Sequence, residues 1–320
     1  MSATFAHPTL HRWWPWIKRF VALAFFAVVT IFLIAEARRI DWPAVISSLR
    51  AVPTLHLAIA GMLAVASHAL FSTFDLFGHR YVQHTLSIPA VMGVNFISYA
   101  FNLNFGALIG GVAFRYRLYS RLGLTLGEVT QIISLSMLTN WLGYVLLAGM
   151  ALIWQPLALP QDWALHAWAL RGIGILMLAL AMAYVVGCGV SRRREWKLRG
   201  RTIELPSLRI ALGQLLVSCV NWLLMAALIY VLLQQRIAYP AVLSALLAAA
   251  VAGVVTHVPA GLGVIEAVFI ALLSQQLPRE ELLASVLIYR FIYYLVPLAI
   301  AVAAYVPLEM RARQLRDRNG

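Results

Sequence analysis

The sequence predicts an all-α polytopic membrane protein, and three observations carry that prediction. Of its 320 residues 62% are hydrophobic, the mean hydropathy is +0.83 and only 12% are charged, a composition outside the range of ordinary soluble domains. Several apolar runs reach the roughly 17–25 residues that a helix needs to cross a bilayer. Hydrocarbon offers no water to unpaired backbone groups, so helices are the default spanning structure. The net charge of +13, from 25 Lys+Arg against 12 Asp+Glu, is gathered in short segments beside those runs. That distribution orients spans and touches anionic headgroups, and nucleic acid is not an expected partner.

Along the chain, Trp13, Trp14 and Trp16 beside Arg12, Lys18 and Arg19 read as an interfacial anchor. The run 20–35 ends in a small-x-small pattern, but it is long for a signal-peptide core and many spans follow, so it reads as an uncleaved first span. Further apolar segments cover 54–77, 88–114, 128–154, 168–190, 208–233, 239–276 and 282–306. Two of them contain breakers. Segment 88–114 is interrupted by Asn102, Asn104, Gly106, Gly110 and Gly111, and segment 239–276 by Pro259, Gly261, Gly263 and the charge of Glu266. Such interruptions mark discontinuous or re-entrant helices.

Seven Lys or Arg in 192–209 and four Arg in 311–318 predict cytoplasmic positions, and their absence from 155–167 predicts an external loop. Arg115, Arg117 and Arg121 add a cytoplasmic vote. These votes agree when both broken segments are re-entrant, leaving six full crossings and cytoplasmic N- and C-termini, although Arg38, Arg39 and Arg50 then lie outside. The alternative is eight or nine full spans, the nine-span form having an external N-terminus. The chain reads as a single transmembrane domain over 1–320. Halves 54–154 and 208–307 place helix starts and glycine breaks at matching offsets in opposite orientations, the pattern of an inverted repeat with a substrate site near the midplane.

Within the breaks, Gly110 and Gly111 permit close backbone approach. Arg115, about a turn beyond them, either binds phosphate with a half-helix N-terminus or marks the interface, as Arg117 and Arg121 do. Glu266 lies in the first turn after Gly263. It is either a carboxylate held by the helix dipole or a group that engages a cation, a proton or an arginine. Its expected partner is Arg290, which would cost about 2.5–3.5 kcal/mol unpaired at the midplane; Tyr294 shares its face at i, i+4. His68, Ser72 and Asp75 fall on one face of the second segment, and Gln131, Ser134, Thr139 and Asn140 on the fourth. With Asn102 and His257, residues His68, Asp75 and Asn140 either line an aqueous cavity or join helices at about 0.6 kcal/mol per hydrogen bond.

Cys188 and Cys219 lie in different apolar runs without CxxC spacing, which predicts neither a disulfide framework nor a metal site. No nucleophile–base pair, GxxxxGK[ST], GxGxxG or HExxH motif is present. The hydrophilic loops, about 15–20 residues, are too short for a catalytic domain on the scale of domain sizes. The expectation is a non-enzymatic protein with no cofactor.

The stretch Pro259-Ala-Gly-Leu-Gly-Val-Ile-Glu266, the run Gly106 to Gly111 followed by Arg115 and Gly123, and Tyr289-Arg290 together resemble a known family. It is the transmembrane, flippase-type module of the lysylphosphatidylglycerol synthase/flippase family, especially its stand-alone YbhN-like bacterial inner-membrane branch. The resemblance covers nearly the whole chain, with Ala260 where the family more usually has glycine. It implies lipid translocation or lipid handling, phospholipids of anionic or aminoacylated type as ligands, and no lysyl transfer by this polypeptide. The resemblance does not specify the lipid. The expected headgroup site lies between the two broken elements, at Pro259, Gly261, Gly263, Glu266, Arg290, Tyr294, Gly110, Gly111 and Arg115. Other readings are a scaffold for a phospholipid-synthesising enzyme, docked through 192–209, and a proton-coupled solute transporter, which the scarcity of midplane carboxylates disfavours. An oligomer is compatible with all of them.

Overall fold

The computed structural model describes residues 41–82, 86–154, 167–191, 195–198, 201–204, 206–256 and 258–305. The first apolar run, His257, the 155–166 loop and the basic tail lie outside them. The described chain is a bundle of helices with one small β-hairpin. Six helices are long and apolar enough to cross a membrane, as expected of an all-α polytopic membrane protein.

Helix α1 (Trp42–Ala51) starts where the Asp41 side chain accepts from the Ala44 N–H at 3.2 Å and a proline occupies the first turn, both of which favour initiation. It is amphipathic, burying Val45 against Leu283 and Ala284 while Trp42 and Ile46 stay exposed. Helices α2 (Thr54–Ser72) and α3 (Phe74–His79) form one span broken at Thr73, whose hydroxyl donates to the Leu70 carbonyl at 2.7 Å.

Helix α4 (Ile88–Phe105) stops at Gly106, where φ is +86°, and the chain turns through a π-helical segment, Ala107–Ala113, into α5 (Phe114–Arg121). Phe101 and Phe114 stack with centroids 4.0 Å apart, and Tyr119 Oη reaches the Val91 carbonyl at 3.5 Å. In a straight helix the two phenylalanines would be about 20 Å apart along the axis. The segment is therefore a hairpin whose two ends leave on one face. Gly110 makes the fold-back possible, because a Cβ there would overlap the backbone of Phe101 and Asn102.

Helix α6 (Leu126–Trp154) begins with a reciprocal cap: Glu128 Oε2 accepts from the Thr125 N–H and hydroxyl at 2.7 and 2.8 Å, and Thr125 Oγ1 accepts from the Glu128 N–H at 3.4 Å. Helix α7 (Ala167–Val190) is peripheral, leaving Ile173, Ile175, Leu176 and Leu180 exposed on a lipid-facing stripe. Strands β1 (Glu195–Leu198) and β2 (Arg201–Glu204) then pair antiparallel, an element that the reading of 192–209 as a basic cytoplasmic segment did not include. Helix α8 (Leu208–Leu232) runs through the centre against α2 and α6. Gly143 allows its approach, since a Cβ there would overlap the backbone of Ser218 and Cys219.

The second broken element has unequal arms. Helix α9 (Tyr239–Thr256) is itself of spanning length, whereas α10 (Val264–Leu273), ten residues long, is too short to cross. Helix α11 (Arg279–Arg290) continues through a π turn, Phe291–Leu295, to Tyr305 as one 27-residue span. The ends of α8 and α10 and the starts of α9 and α11 gather on one face, and the open end of the α4–α5 hairpin lies on the other. The two broken elements thus enter from opposite faces.

Two opposed hairpins clamped by buried arginines

Arg290 lies about 17 Å along its helix from Arg279, near the middle of the span. Its guanidinium donates to both oxygens of Glu266, with Nη2 to Oε2 at 3.0 Å, and to the carbonyls of Ala260 (2.8 Å) and Gly261. The ring of Tyr294 lies 5.5 Å from its Cζ, within cation–π range. Side-chain exposure is 9% for Arg290 and 13% for Glu266. The expected Glu266–Arg290 pair therefore forms, and the arginine also grips the main chain of the break.

The break presents those carbonyls because its backbone turns left-handed. Ala260, Gly261 and Gly263 have φ of +57°, +57° and +77°. Glycine adopts such angles freely and alanine does not, so Ala260 is held in a conformation that suits the glycine more usual there.

The tip of the first hairpin reaches the same place. Asn104 Nδ2 donates to the Tyr294 carbonyl at 3.2 Å, and α4 packs against the Pro259–Gly261 turn. Asn102 stays within its own hairpin, its Oδ1 3.1 Å from where a Gly111 Cβ would lie. The last span thus joins both broken elements, through Arg290 to one and Tyr294 to the other.

Arg115 is clamped separately. Its Nε donates to Asp75 Oδ2 at 3.0 Å, Nη1 to the Gly111 carbonyl at 2.9 Å, and Nη2 to Asn95 Oδ1 and, at 3.4 Å, to Ser136 Oγ. Tyr119 Oη donates to the same Asp75 oxygen at 2.8 Å. Asp75 is fully buried, so it is a charge partner and not a cavity-lining group. The partner was legible in principle, because a carboxylate within a span calls for a cation.

Behind the pairs lies a neutral network that sequence reasoning did not find. Ser67 Oγ donates to Asn221 Oδ1 and shares a hydrogen bond with Tyr293 Oη, both at 2.8 Å, and Tyr99 Oη lies 3.2 Å from Tyr293 Oη. His68 Nε2 is 3.1 Å from the Tyr293 carbonyl; a carbonyl only accepts, so Nε2 carries the proton. Ser67, Asn221 and Tyr293 are common residue types in helices, and only the fold brings them together. On the fourth segment, Thr139 Oγ1 accepts from Gln214, and the Asn140 carbonyl accepts from Ser218 Oγ and Trp222 Nε1 at 2.9 and 3.3 Å. These groups join α6 to α8.

The sequence profile of the lysylphosphatidylglycerol synthase TM region matches residues 19–301. The inner membrane protein YbhN of Escherichia coli (strain K12) is 41% identical over 310 residues, covering 97% of this chain and 98% of that protein. The uncharacterized protein slr0712 of Synechocystis is 29% identical over 293 residues, covering 89% and 90%. A phosphatidylglycerol lysyltransferase of Staphylococcus aureus (strain MRSA252) is 27% identical over 295 residues, covering 89% of this chain but 33% of that enzyme. This multi-pass inner-membrane protein therefore belongs to the lysylphosphatidylglycerol synthase TM-region family.

Proposed function

We propose that this protein moves or handles phospholipid in the inner membrane, receiving the headgroup where the tips of the two opposed hairpins meet. The observation that carries the reading is Arg290, a mid-span cation held by one carboxylate and two main-chain carbonyls of a broken helix. A phosphate oxygen pair matches the guanidinium fork better than separate carbonyls do. Phosphate therefore competes for Arg290, releases the Pro259–Gly261 turn and frees Glu266 for a cationic headgroup group. Anionic and aminoacylated phospholipids fit that exchange, and kinship with a phosphatidylglycerol lysyltransferase supports phospholipid as the ligand class. Lysyl transfer is not part of the proposed activity.

In this reading Gly263 and Tyr294 shape the receiving tip. Gly110, Gly111 and the Arg115–Asp75 pair hold the first hairpin closed. Arg115 acts as an anchor, since it is fixed by the fully buried side chains of Asp75 and Asn95. Residues 54–154 and 208–307 act as inverted halves, with both termini on the cytoplasmic side. The test is reconstitution into liposomes carrying fluorescent or lysylated phosphatidylglycerol, followed by quenching of the outer leaflet. Faster exchange than in protein-free liposomes is expected, and equal rates reject the proposal.

A second reading has one observation in its favour, the β1–β2 hairpin inside the basic segment 192–209. A structured basic hairpin suits docking of a phospholipid-synthesising enzyme. Replacing 195–204 with a Gly-Ser linker would abolish such docking; lipid movement retained in that variant with no change in co-purifying proteins excludes it.

A further inference from the structure

On the face where α9 begins and α10 ends, a cleft of about 400 Å³ opens between α1, the end of α8, Leu277 in the turn after α10 and the start of α11. Its rim carries Arg236 and Glu281, which pair with each other while exposing 50% and 35% of their side chains. The buried Leu232, Leu233 and Leu277 also line it. None of these residues belongs to the Glu266–Arg290 or Asp75–Arg115 pairs.

We propose that this cleft binds the headgroup of a zwitterionic phospholipid, with the phosphate on Arg236 and the ammonium on Glu281. Its place is the first argument. The cleft lies at the ends of several spans, at headgroup depth, and is walled by an amphipathic helix whose outer residues Trp42 and Ile46 are exposed, as in interfacial helices.

Charge logic is the second. Arg236 and Glu281 satisfy each other. A ligand bearing both signs exchanges one pair for two and leaves neither group facing a like charge. A purely anionic headgroup would oppose Glu281, and a purely cationic one would oppose Arg236, a mismatch that selects against both.

The backbone supplies a third argument. Gln234 and Gln235, just before Arg236, have φ of +53° and +60°. Two successive non-glycine residues in the left-handed region are costly, and this turn carries the chain from α8 to Arg236 at the cleft. Strain of this kind gathers at ligand sites.

The same ammonium–phosphate chemistry occurs in a membrane lipid and in a soluble glycerophospho-amine, so the test separates them. The full chain in maltoside detergent is titrated with dihexanoyl phosphatidylethanolamine, dihexanoyl phosphatidylglycerol and glycerophosphoethanolamine, with binding read by thermophoresis. Saturable binding of the ethanolamine lipid is expected, about tenfold tighter than either comparator, the order expected of one charge-assisted hydrogen bond. Arg236→Gln and Glu281→Gln should each weaken it about tenfold, and Glu281→Gln should narrow the gap to phosphatidylglycerol. Ser48→Trp, which fills the cleft and keeps the charge pair, should also block binding; this variant reports even where a charge variant is poorly folded. Affinity equal for lipid and soluble headgroup overturns the lipid assignment, and binding unchanged in all three variants overturns the site. The readout is equilibrium binding, so wild-type affinity in these variants beside protein-dependent lipid exchange would reject the cleft and leave translocation standing.

Discussion

At the scale of single residues, the ion pairs Asp75–Arg115, Glu266–Arg290 and Glu281–Arg236 among the described residues lie at different depths, and depth sets what each contributes. Removing one partner of a buried pair strands a charge and costs about 3–5 kcal/mol, whereas exposed pairs contribute about 0–1 kcal/mol. Asp75 is fully buried against Arg115, while Arg236 and Glu281 are largely solvated. Asp75→Ala should therefore lower stability by several kcal/mol, and Glu281→Ala by less than about 1 kcal/mol, as read by denaturant unfolding in mixed micelles. Similar losses in the two variants would contradict the assignment of Asp75 as the anchor of the first hairpin. The Glu266–Arg290 partnership was legible from sequence because both are isolated charges in apolar runs. Arg115 was harder to place: cationic residues also crowd membrane interfaces, so its position alone did not distinguish anchor from phosphate ligand.

At the scale of elements, each hairpin depends on a position where a side chain is sterically or conformationally excluded. Gly110→Ala pushes a methyl into the backbone of Phe101 and Asn102 and should destabilise by about 1–3 kcal/mol. Gly61→Ala on α2 meets nothing within 4 Å and should be neutral or slightly stabilising in a helix. Thermal unfolding midpoints of the two variants check the contrast. At the other tip, Ala260→Gly relieves a left-handed alanine worth about 1–2 kcal/mol, partly offset by about 0.4–1 kcal/mol of added unfolded-state freedom. A small rise in midpoint is expected, and a clear fall would contradict the strained reading of this turn. Both breaks were visible in sequence because Gly and Pro mark departures from helix whatever surrounds them. The unequal arms of the second element were not, since hydropathy treats 239–276 as one apolar run and does not report where the chain reverses. The β1–β2 hairpin was hidden by its short strands within a run read for charge. Its local signals are Trp196, Leu198 and Ile203 spaced around an Arg199-Gly200 pair in the sequence, of the X-Gly type found in tight turns.

At the scale of the whole molecule, the two hairpins open to opposite faces and the last span touches both tips. Single cysteines placed at Gln234 and at Gly123, with Cys188 and Cys219 replaced by alanine, should react with an impermeant maleimide from opposite sides of the membrane. Labelling of both from one side would contradict the opposed arrangement. Composition and the length of the apolar runs made the all-α membrane class legible. The meeting of the tips was not, because it depends on Asn104, Tyr294 and the Ala260 and Gly261 carbonyls, and main-chain acceptors leave no trace in residue type. In the proposed function, a lipid headgroup displaces the Arg290 clamp on the second hairpin. The most direct measurement is transbilayer exchange of fluorescent phosphatidylglycerol in liposomes containing wild-type, Glu266→Gln or Arg290→Ala protein at matched folded amounts. At least tenfold slower exchange is expected in both variants; wild-type rates in both would rule out displacement of the clamp by a headgroup.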